Sequence, residues 1–236
     1  MALILNIETS TTVCSVILAE NGNIISKKET DEKNSHSSLL TVFIEEMFKE
    51  LEINLSDIDA VAVSKGPGSY TGLRIGVSTA KGIAYGINKK LISVSTLQSM
   101  AWGMKQYLLK NKIEFNENTL FCPMIDARRM EVYTAFYDTN INMIKEISAE
   151  IIDENSFNNL LINNKVYFFG DGANKCKTSI TNNNAIFIEN IFPSAEYMIN
   201  FSEKYFQNNK FEDIAYFEPF YLKDFIATVP KKNIYS

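Results

Sequence analysis

The sequence is poor in the residues that most metal sites and nucleophilic active sites use. Among 236 residues there is one histidine, His36, and there are three cysteines, Cys14, Cys122 and Cys176. A zinc site with two histidines cannot be assembled from this chain, and a Ser-His-Asp triad could draw only on His36. The cysteines are widely spaced and odd in number, which favours buried thiols in a reducing cytoplasm over a disulfide framework. We therefore predict no bound metal and no catalytic residue.

Long apolar runs and an excess of positive charge are also missing. No apolar stretch approaches the roughly 20 residues that a membrane-spanning helix needs. The N-terminus, MALILNIETS, has no basic segment and reaches Glu8 after a short apolar run, so it predicts a first strand rather than a signal peptide. Lys and Arg number 23 against 28 Asp and Glu, for a net charge of −5. Such a chain is a poor general binder of nucleic acid, and any RNA contact is expected to depend on another subunit.

What the sequence does contain is a repeated succession of strands and helices. Strands at 3–7, 14–19 and 24–25, with a hairpin turn at Asn21-Gly22, precede a helix capped by Asn34 or Ser35 that runs to about 51. There follow a strand at 59–64, a helix at 71–87, a strand at 91–94 and a helix from 95 or 96 to 110. The second half predicts strands at 120–126, 131–137 and 143–151, a helix capped by Asp153 through 161, strands at 166–169 and 186–188, and a helix from Ser194 to about 207.

This repeated order predicts an α/β protein with a duplicated ribonuclease-H-like fold, as in the actin, Hsp70 and sugar-kinase (ASKHA) group. Two subdomains are expected, each with a mixed sheet flanked by helices. We place the N-terminal subdomain at 1–98 and a smaller C-terminal subdomain at 99–211. The tail, 212–236, is expected to pack back on the first subdomain.

The turn of the first hairpin is the candidate nucleotide site. In the ASKHA fold this turn faces a nucleotide phosphate, and an Asp usually ends the first strand. Here that position is Glu8. Thr9, Ser10, Thr11 and Thr12 could donate hydrogen bonds to phosphate oxygens, or the same hydroxyls could satisfy backbone groups in a tight turn. Glu8, Thr9 and Ser10 are thus candidate nucleotide-proximal residues, and both interpretations stay open at this point.

The segment SKGPGSYTGLRIG, residues 64–76, holds four of the ten glycines. Gly72, Gly76, Ala80 and Ala84 recur every four residues, so one face of the predicted helix carries almost no side chain. Because interior helical glycine costs about 1 kcal/mol relative to alanine, close approach of another backbone is the simplest reason. The lysine of a GxxxxGK[ST] phosphate loop is missing. We predict that this face packs against a partner, so that Gly72→Arg or Gly76→Arg abolishes pairing and leaves the chain folded. A core-packing origin of these glycines would instead make the same substitutions unfold the chain.

The helix before it is apolar over an unusually wide arc. Its hydrophobic residues cover about half of the helix circumference, more than the usual core-facing stripe. One side is therefore expected to meet the sheet and the other to meet something else. The alternative is a helix sandwiched within its own subdomain. The apolar residues are Leu39, Leu40, Phe43, Ile44, Met47, Phe48 and Leu51.

Several segments together resemble the TsaB (YeaZ) family. They are IETSTTVCSVIL, SHSSLL, SKGPGSYTGLRIGVSTAKGIAYG, VSTLQSMA and IDARRMEVYTAFYD, with the tail PFYLKDFIATVPKK also similar. The resemblance implies a non-catalytic subunit of the complex that makes threonylcarbamoyladenosine on tRNA. It implies a TsaD-type paralogue as partner, which carries the metal and transfers the threonylcarbamoyl group, a TsaE-type ATPase as third component, and a homodimer when the chain is alone. Glu8 departs from the Asp that many members carry.

The resemblance further implies that the pairing surface lies on the helices at about 36–51 and 71–88. No cofactor is expected in the isolated chain, ATP or ADP is expected only in the complex, and tRNA is expected to bind only through the complex. A small-molecule kinase or an M22-type peptidase homologue of the same fold is the alternative. The candidate partner residues are Leu39, Leu40, Phe43, Ile44, Met47, Tyr70, Gly72, Leu73, Arg74, Gly76, Val77 and Ala80.

Overall fold

The computed structural model describes residues 2–32 and 36–223 of the chain. The first half contains β1 Leu3–Glu8, β2 Cys14–Glu20, β3 Asn23–Thr30, α1 His36–Glu50, β4 Ala60–Gly66, α2 Tyr70–Gly86, β5 Lys90–Ser95 and α3 Thr96–Lys110. The second half contains β6 Thr119–Asp126, β7 Glu131–Tyr137, β8 Met143–Ile151, α4 Asn158–Leu161, β9 Lys165–Phe169, β10 Ala185–Phe187 and α5 Ile199–Gln207.

The strands form two five-stranded mixed sheets with the same topology. The first has the order β3-β2-β1-β4-β5 and the second β10-β9-β6-β7-β8. In each sheet a hairpin meander of antiparallel strands is followed by parallel strands reached through crossovers. The hairpin that joins β2 to β3 turns at Asn21 and Gly22, whose φ angles of 51° and 78° suit a type I′ turn. The repeat confirms the predicted duplicated ribonuclease-H-like fold.

Helices cover both faces of the first sheet. Because strand side chains alternate between faces, Leu5 and Ile7 of β1 join a buried cluster with α1 and α2, whereas Ile4 joins a cluster on the opposite face. That second cluster contains Met100 and Met104 of α3 together with Phe121 and Tyr137 of the second sheet, so α3 lies between the sheets. The second sheet's other face has its own core, which includes Phe136, Phe168 and Phe157.

The C-terminal part of the chain contacts the first sheet again. A 3-10 turn, Ala195–Met198, and the following α5 pack on β1, β2 and β5. Beyond α5, Glu212 pairs with Leu91 at the edge of β5. The subdomain boundaries at 98/99 and 211/212 stay a prediction. None of the helices that the structure describes combines the length and apolar character of a membrane span.

Two local predictions differ from the structure. The helix expected from Asp153 is limited to Asn158–Leu161, because Phe157 adopts a left-handed φ of 65° and interrupts the helix. Asp153 instead stabilises a turn, in which its carboxylate accepts hydrogen bonds from the Asn155 amide and the Ser156 hydroxyl, both at 2.9 Å. The other caps have mixed outcomes: Ser194 caps the 3-10 turn before α5, and Ser95 precedes α3 without a side-chain capping bond. The predicted caps Asn34 and Ser35 lie outside the described residues, as does the tail beyond 223.

Candidate functional site

A cleft of about 400 Å³ opens between the first hairpin turn and the second sheet. Hydroxyl groups and the start of α2 form one wall, and two aspartates from the second sheet lie on the other. Of the three candidate nucleotide-proximal residues, only Ser10 lines the cleft. The lining residues are Ser10, Thr11, Thr12, His36, Ser37, Ser69, Thr71, Gly72, Ile75, Ile125, Asp126 and Asp171.

Glu8 lies behind the cleft wall and is fully buried. Its Oε1 accepts hydrogen bonds from the Ser10 amide at 2.6 Å and from the Ser64 hydroxyl at 2.8 Å. Its Oε2 has no hydrogen-bond partner among the described residues. Burial raises the pKa of this carboxyl above its ordinary value, although the hydrogen bonds from Ser10 and Ser64 act in the opposite direction. Glu8 thus ties the hairpin turn to the end of β4.

Thr9 explains the glycine face of α2. Its hydroxyl donates a hydrogen bond to the Gly72 carbonyl oxygen at 2.8 Å. A Cβ at Gly72 would overlap the Thr9 carbonyl oxygen, and a Cβ at Gly76 would overlap the Thr9 hydroxyl. The close backbone is therefore the chain's own hairpin turn, not a partner's, which corrects the predicted reason for these glycines. This geometry favours the alternative, that Gly72→Arg or Gly76→Arg unfolds the chain.

His36 begins α1 and is buried, with its Nε2 3.1 Å from the Val13 carbonyl oxygen. This contact ties α1 to the residue that follows the hairpin turn. Within 2–32 and 36–223, no group of three His, Cys, Asp or Glu side chains is arranged to hold a metal ion. The three cysteines are buried free thiols, as the sequence predicts.

The opposite wall carries the aspartates at the ends of β6 and β9. The Asp171 carboxylate accepts a hydrogen bond from the Asp126 amide at 3.1 Å, and burial raises the pKa of Asp171. Asp126 forms an ion pair with Lys175 and accepts a hydrogen bond from the Arg128 amide at 3.0 Å. Sequence reasoning missed Asp171. The signal was available in GDG at 170–172, because the carboxyl ends of adjacent parallel strands are where ligands bind in α/β sheets.

Most of the candidate partner residues are buried within the chain itself. Leu39, Phe43 and Tyr70 remain partly exposed, and Arg74 is exposed. Sequence reasoning missed three further apolar residues on the accessible side of the same helices: Val42, which is 39% exposed, and the half-buried Ile75 and Ile83. The candidates that the chain buries are Leu40, Ile44, Met47, Gly72, Leu73, Gly76, Val77 and Ala80.

Comparison with known proteins shows similarity over most of the chain. The profile of the TsaD family, tRNA N6-adenosine threonylcarbamoyltransferase, matches residues 23–231. A tRNA threonylcarbamoyladenosine biosynthesis protein TsaB from Buchnera aphidicola subsp. Baizongia pistaciae is 32% identical over 204 residues, which cover 84% of this chain and 87% of the relative.

A second relative aligns over only part of its length, and a solved structure shares the fold. The TsaB protein of Escherichia coli K12 is 36% identical over 141 residues, 60% of this chain, and the alignment spans only 57% of that relative. A solved structure of YeaZ from Pseudomonas aeruginosa superposes with a TM-score of 0.77 at 22% identity, covering 94% of this chain and all of that one. At this identity the superposition establishes the shared fold.

Proposed function

The chain belongs to the TsaB (YeaZ) branch of the TsaD family, and on that premise we propose that it is a non-catalytic subunit of the machinery that makes threonylcarbamoyladenosine on tRNA. The observation that carries the proposal is the alignment with the Buchnera TsaB protein over most of both chains. The accompanying partners are a TsaD-type paralogue, which performs the transfer, and a TsaE-type ATPase. A cytoplasmic location, tRNA contact through the complex, and ATP or ADP binding only in the complex belong to the same proposal.

The state of the polar side chains supports an accessory role. The one imidazole contacts a backbone carbonyl, and Glu8 is engaged by Ser10 and Ser64. A kinase of this fold needs a phosphate-binding turn in the hairpin that opens the second half, which here joins β6 to β7. That turn carries Arg128 and Arg129, with φ angles of 71° and 46°, where glycine would allow a phosphate to approach the backbone. The geometry therefore favours the accessory role over the small-molecule kinase, and no described contact favours an M22-type peptidase.

The surface proposed for the paralogue is the accessible apolar strip on the solvent-facing sides of α1 and α2. Both helices pack on the same face of the first sheet. The strip comprises Leu39, Val42 and Phe43 on α1 and Ile75 and Ile83 on α2, which all keep some solvent exposure. Exposed apolar surface of this kind is typical of a protein interface. The same strip is proposed to form the homodimer when the paralogue is absent. Tyr70 and Arg74 lie at the start of α2, at one end of the strip.

Size-exclusion chromatography with light scattering, using the cognate paralogue, tests the surface. Val42→Glu is expected to weaken pairing about 30-fold, since placing a charge in an apolar interface costs about 2 kcal/mol or more. Ile151→Glu, at a residue that is 75% exposed on the second sheet, is the matched control and should pair normally. If both substitutions weakened pairing equally, or if neither weakened it, the strip would not be the pairing surface.

A transfer assay tests the accessory role. The chain mixed with threonylcarbamoyl-adenylate and tRNA should form no modified adenosine until the paralogue is added. Product formed by the single chain would overturn the proposal.

A further inference from the structure

The residues after α5 form a strap that is anchored firmly at its beginning. We define the strap as residues 212–223. Glu212 donates its amide to the Leu91 carbonyl oxygen at 2.8 Å and accepts a hydrogen bond from the Ser93 hydroxyl at 2.5 Å. Ile214 and Phe217 pack against the core beneath α1 and α2. Backbone pairing and apolar burial together make this first half part of the folded unit.

The middle of the strap follows α2 toward the cleft. The Lys81 ammonium donates to the carbonyl oxygens of Phe217 at 2.9 Å and Ala215 at 3.3 Å. Phe220 then donates its amide to the Lys65 carbonyl oxygen at 2.7 Å, beside the loop that joins β4 to α2. The strap therefore reaches the start of α2, where the cleft opens.

The end of the strap contacts Tyr70 and Arg74. The Tyr221 ring lies 4.9 Å from the Tyr70 ring, centroid to centroid. Arg74 lies 4.3 Å above the Tyr70 ring and donates from Nε to the Tyr221 hydroxyl at 3.3 Å. Tyr221 thus binds to a site formed by the aromatic ring of Tyr70 and the guanidinium group of Arg74.

The last described residue of the strap reaches the second sheet. Lys223 forms an ion pair with Glu131 at the start of β7. The Glu131 carbonyl oxygen also accepts a hydrogen bond from Lys175, which pairs with Asp126 on the cleft wall. The strap therefore crosses from the first sheet to the hairpin that borders the cleft. The first half of the strap is held by backbone pairing and by the partly buried Ile214 and Phe217. This crossing instead depends on side-chain contacts near the surface, which contribute little individually.

We propose that residues 220–223 form a releasable latch that occupies the contact site on Tyr70 and Arg74 and competes with the paralogue for it. This inference rests on the proposed function, because Tyr70 and Arg74 belong to the candidate partner surface. The anchored first half keeps the latch beside its site, so rebinding is intramolecular and the latch is an effective competitor even when its own contacts are weak. A partner group that replaces Tyr221 has to offer an aromatic face to Tyr70 and a hydrogen-bond acceptor to Arg74.

Affinity for the purified paralogue tests the competition. Lys223→Glu should tighten binding by about 1.5- to 5-fold, the range expected for loss of an exposed ion pair. Tyr221→Ala should tighten it by up to about tenfold, since it removes an aromatic contact as well. The double variant Glu131→Lys with Lys223→Glu restores opposite charges and should return affinity toward that of the unmodified chain. Tyr216→Ala, on the same strap and 85% exposed, is the control that should change nothing.

Hydrogen exchange gives a second and independent readout. In the free protein, Lys223→Glu should speed exchange of the Phe220 amide, which Tyr216→Ala should leave protected. On addition of the paralogue, exchange should slow at 70–76 and quicken at 220–223. Slower exchange at 220–223 would mean that the strap is part of the interface, and unchanged affinity in both latch variants would mean that it does not compete; either result overturns the latch. Absence of any complex, with the unmodified chain and all variants, would instead refute the proposed function together with the latch.

Discussion

The Thr9 hydroxyl donates a hydrogen bond to the Gly72 carbonyl oxygen at 2.8 Å, across 63 positions of sequence. This bond holds the first hairpin turn directly against α2. The space between them is so small that neither Gly72 nor Gly76 can carry a side chain without displacing Thr9. The hairpin turn, the glycine face and the cleft wall are therefore one packed unit.

Alanine substitutions should distinguish Gly72 from Gly76, because the added Cβ would contact a different atom of Thr9 at each position. Gly76→Ala and Gly72→Ala should each destabilise the fold by about 1–3 kcal/mol through overpacking. Thr9→Ala should partly rescue Gly76→Ala, because the overlapping atom there is the Thr9 hydroxyl oxygen. It should not rescue Gly72→Ala, which meets the Thr9 backbone carbonyl. Chemical denaturation of the single and double variants measures each effect.

The control for this series lies on the same helix. Gly82 is exposed and a Cβ there would meet nothing within 4 Å. Gly82→Ala should therefore stabilise the chain by about 0.5–1 kcal/mol, in accordance with helix propensity. If Gly76→Ala were also stabilising, the proposed packing of α2 on the hairpin turn would be wrong.

Glu8 predicts a specific pH dependence of stability. Because burial raises its pKa in the folded state above the ordinary value of 4.5, the folded chain holds this proton more tightly than the unfolded chain does. The contribution of protonated Glu8 to the unfolding free energy is thus fully present below about pH 4.5. It is lost as the pH rises through the raised pKa of the folded state. Glu8→Gln should remove this part of the decline in unfolding free energy with rising pH. Exposed Glu45→Gln is the control, and identical pH profiles for Glu8→Gln and the unmodified chain would contradict the prediction.

The three thiols should be unreactive in the native protein. Burial raises the pKa of Cys14 and of Cys176 to about 11, with the Glu8 charge adding to the shift at Cys14, and burial also raises the pKa of Cys122. A thiol pKa of about 11 instead of about 9 lowers the reactive thiolate fraction about 100-fold at neutral pH. A disulfide reagent should therefore label no thiol quickly before unfolding and all three afterwards. A Tyr216→Cys variant should gain one fast site, and fast labelling of an original cysteine would show that the core opens readily.

Arg128 should be replaceable by glycine with a gain in stability. Its φ of 71° is costly for an L-residue by about 1 kcal/mol or more, and glycine avoids that cost. The hydrogen bond from the Arg128 backbone amide to the Asp126 carboxylate does not involve the Arg128 side chain and should persist. Arg128→Gly should therefore raise the unfolding free energy by about 0.5 kcal/mol, measured by thermal or chemical denaturation. Arg128→Ala removes the same side chain without relieving φ, so it should show no gain.

The sequence by itself determined the order of elements, the hairpin at Asn21-Gly22, the fold class and the family, and the structure and comparisons confirm all four. These features follow from short-range information. Hydrophobic periodicity differs between strands and helices, turn residues are selected by local φ, and the family motifs are contiguous. Where a local rule failed, as in the helix predicted from Asp153, a single residue in a left-handed conformation interrupted it.

Only the tertiary structure decided which surface each apolar face meets. The sequence predicted that the glycine face of α2 meets a partner, but this face packs on Thr9. The wide apolar arc of α1 divides into a buried side at Leu40 and Ile44 and a partly exposed side at Leu39 and Phe43. Likewise, no local pattern placed Tyr221 on Tyr70 or Lys223 beside Glu131. Periodicity reports which side of an element is apolar or small; the atoms that cover that side come from residues far away in sequence, and their approach is set by packing of the whole chain.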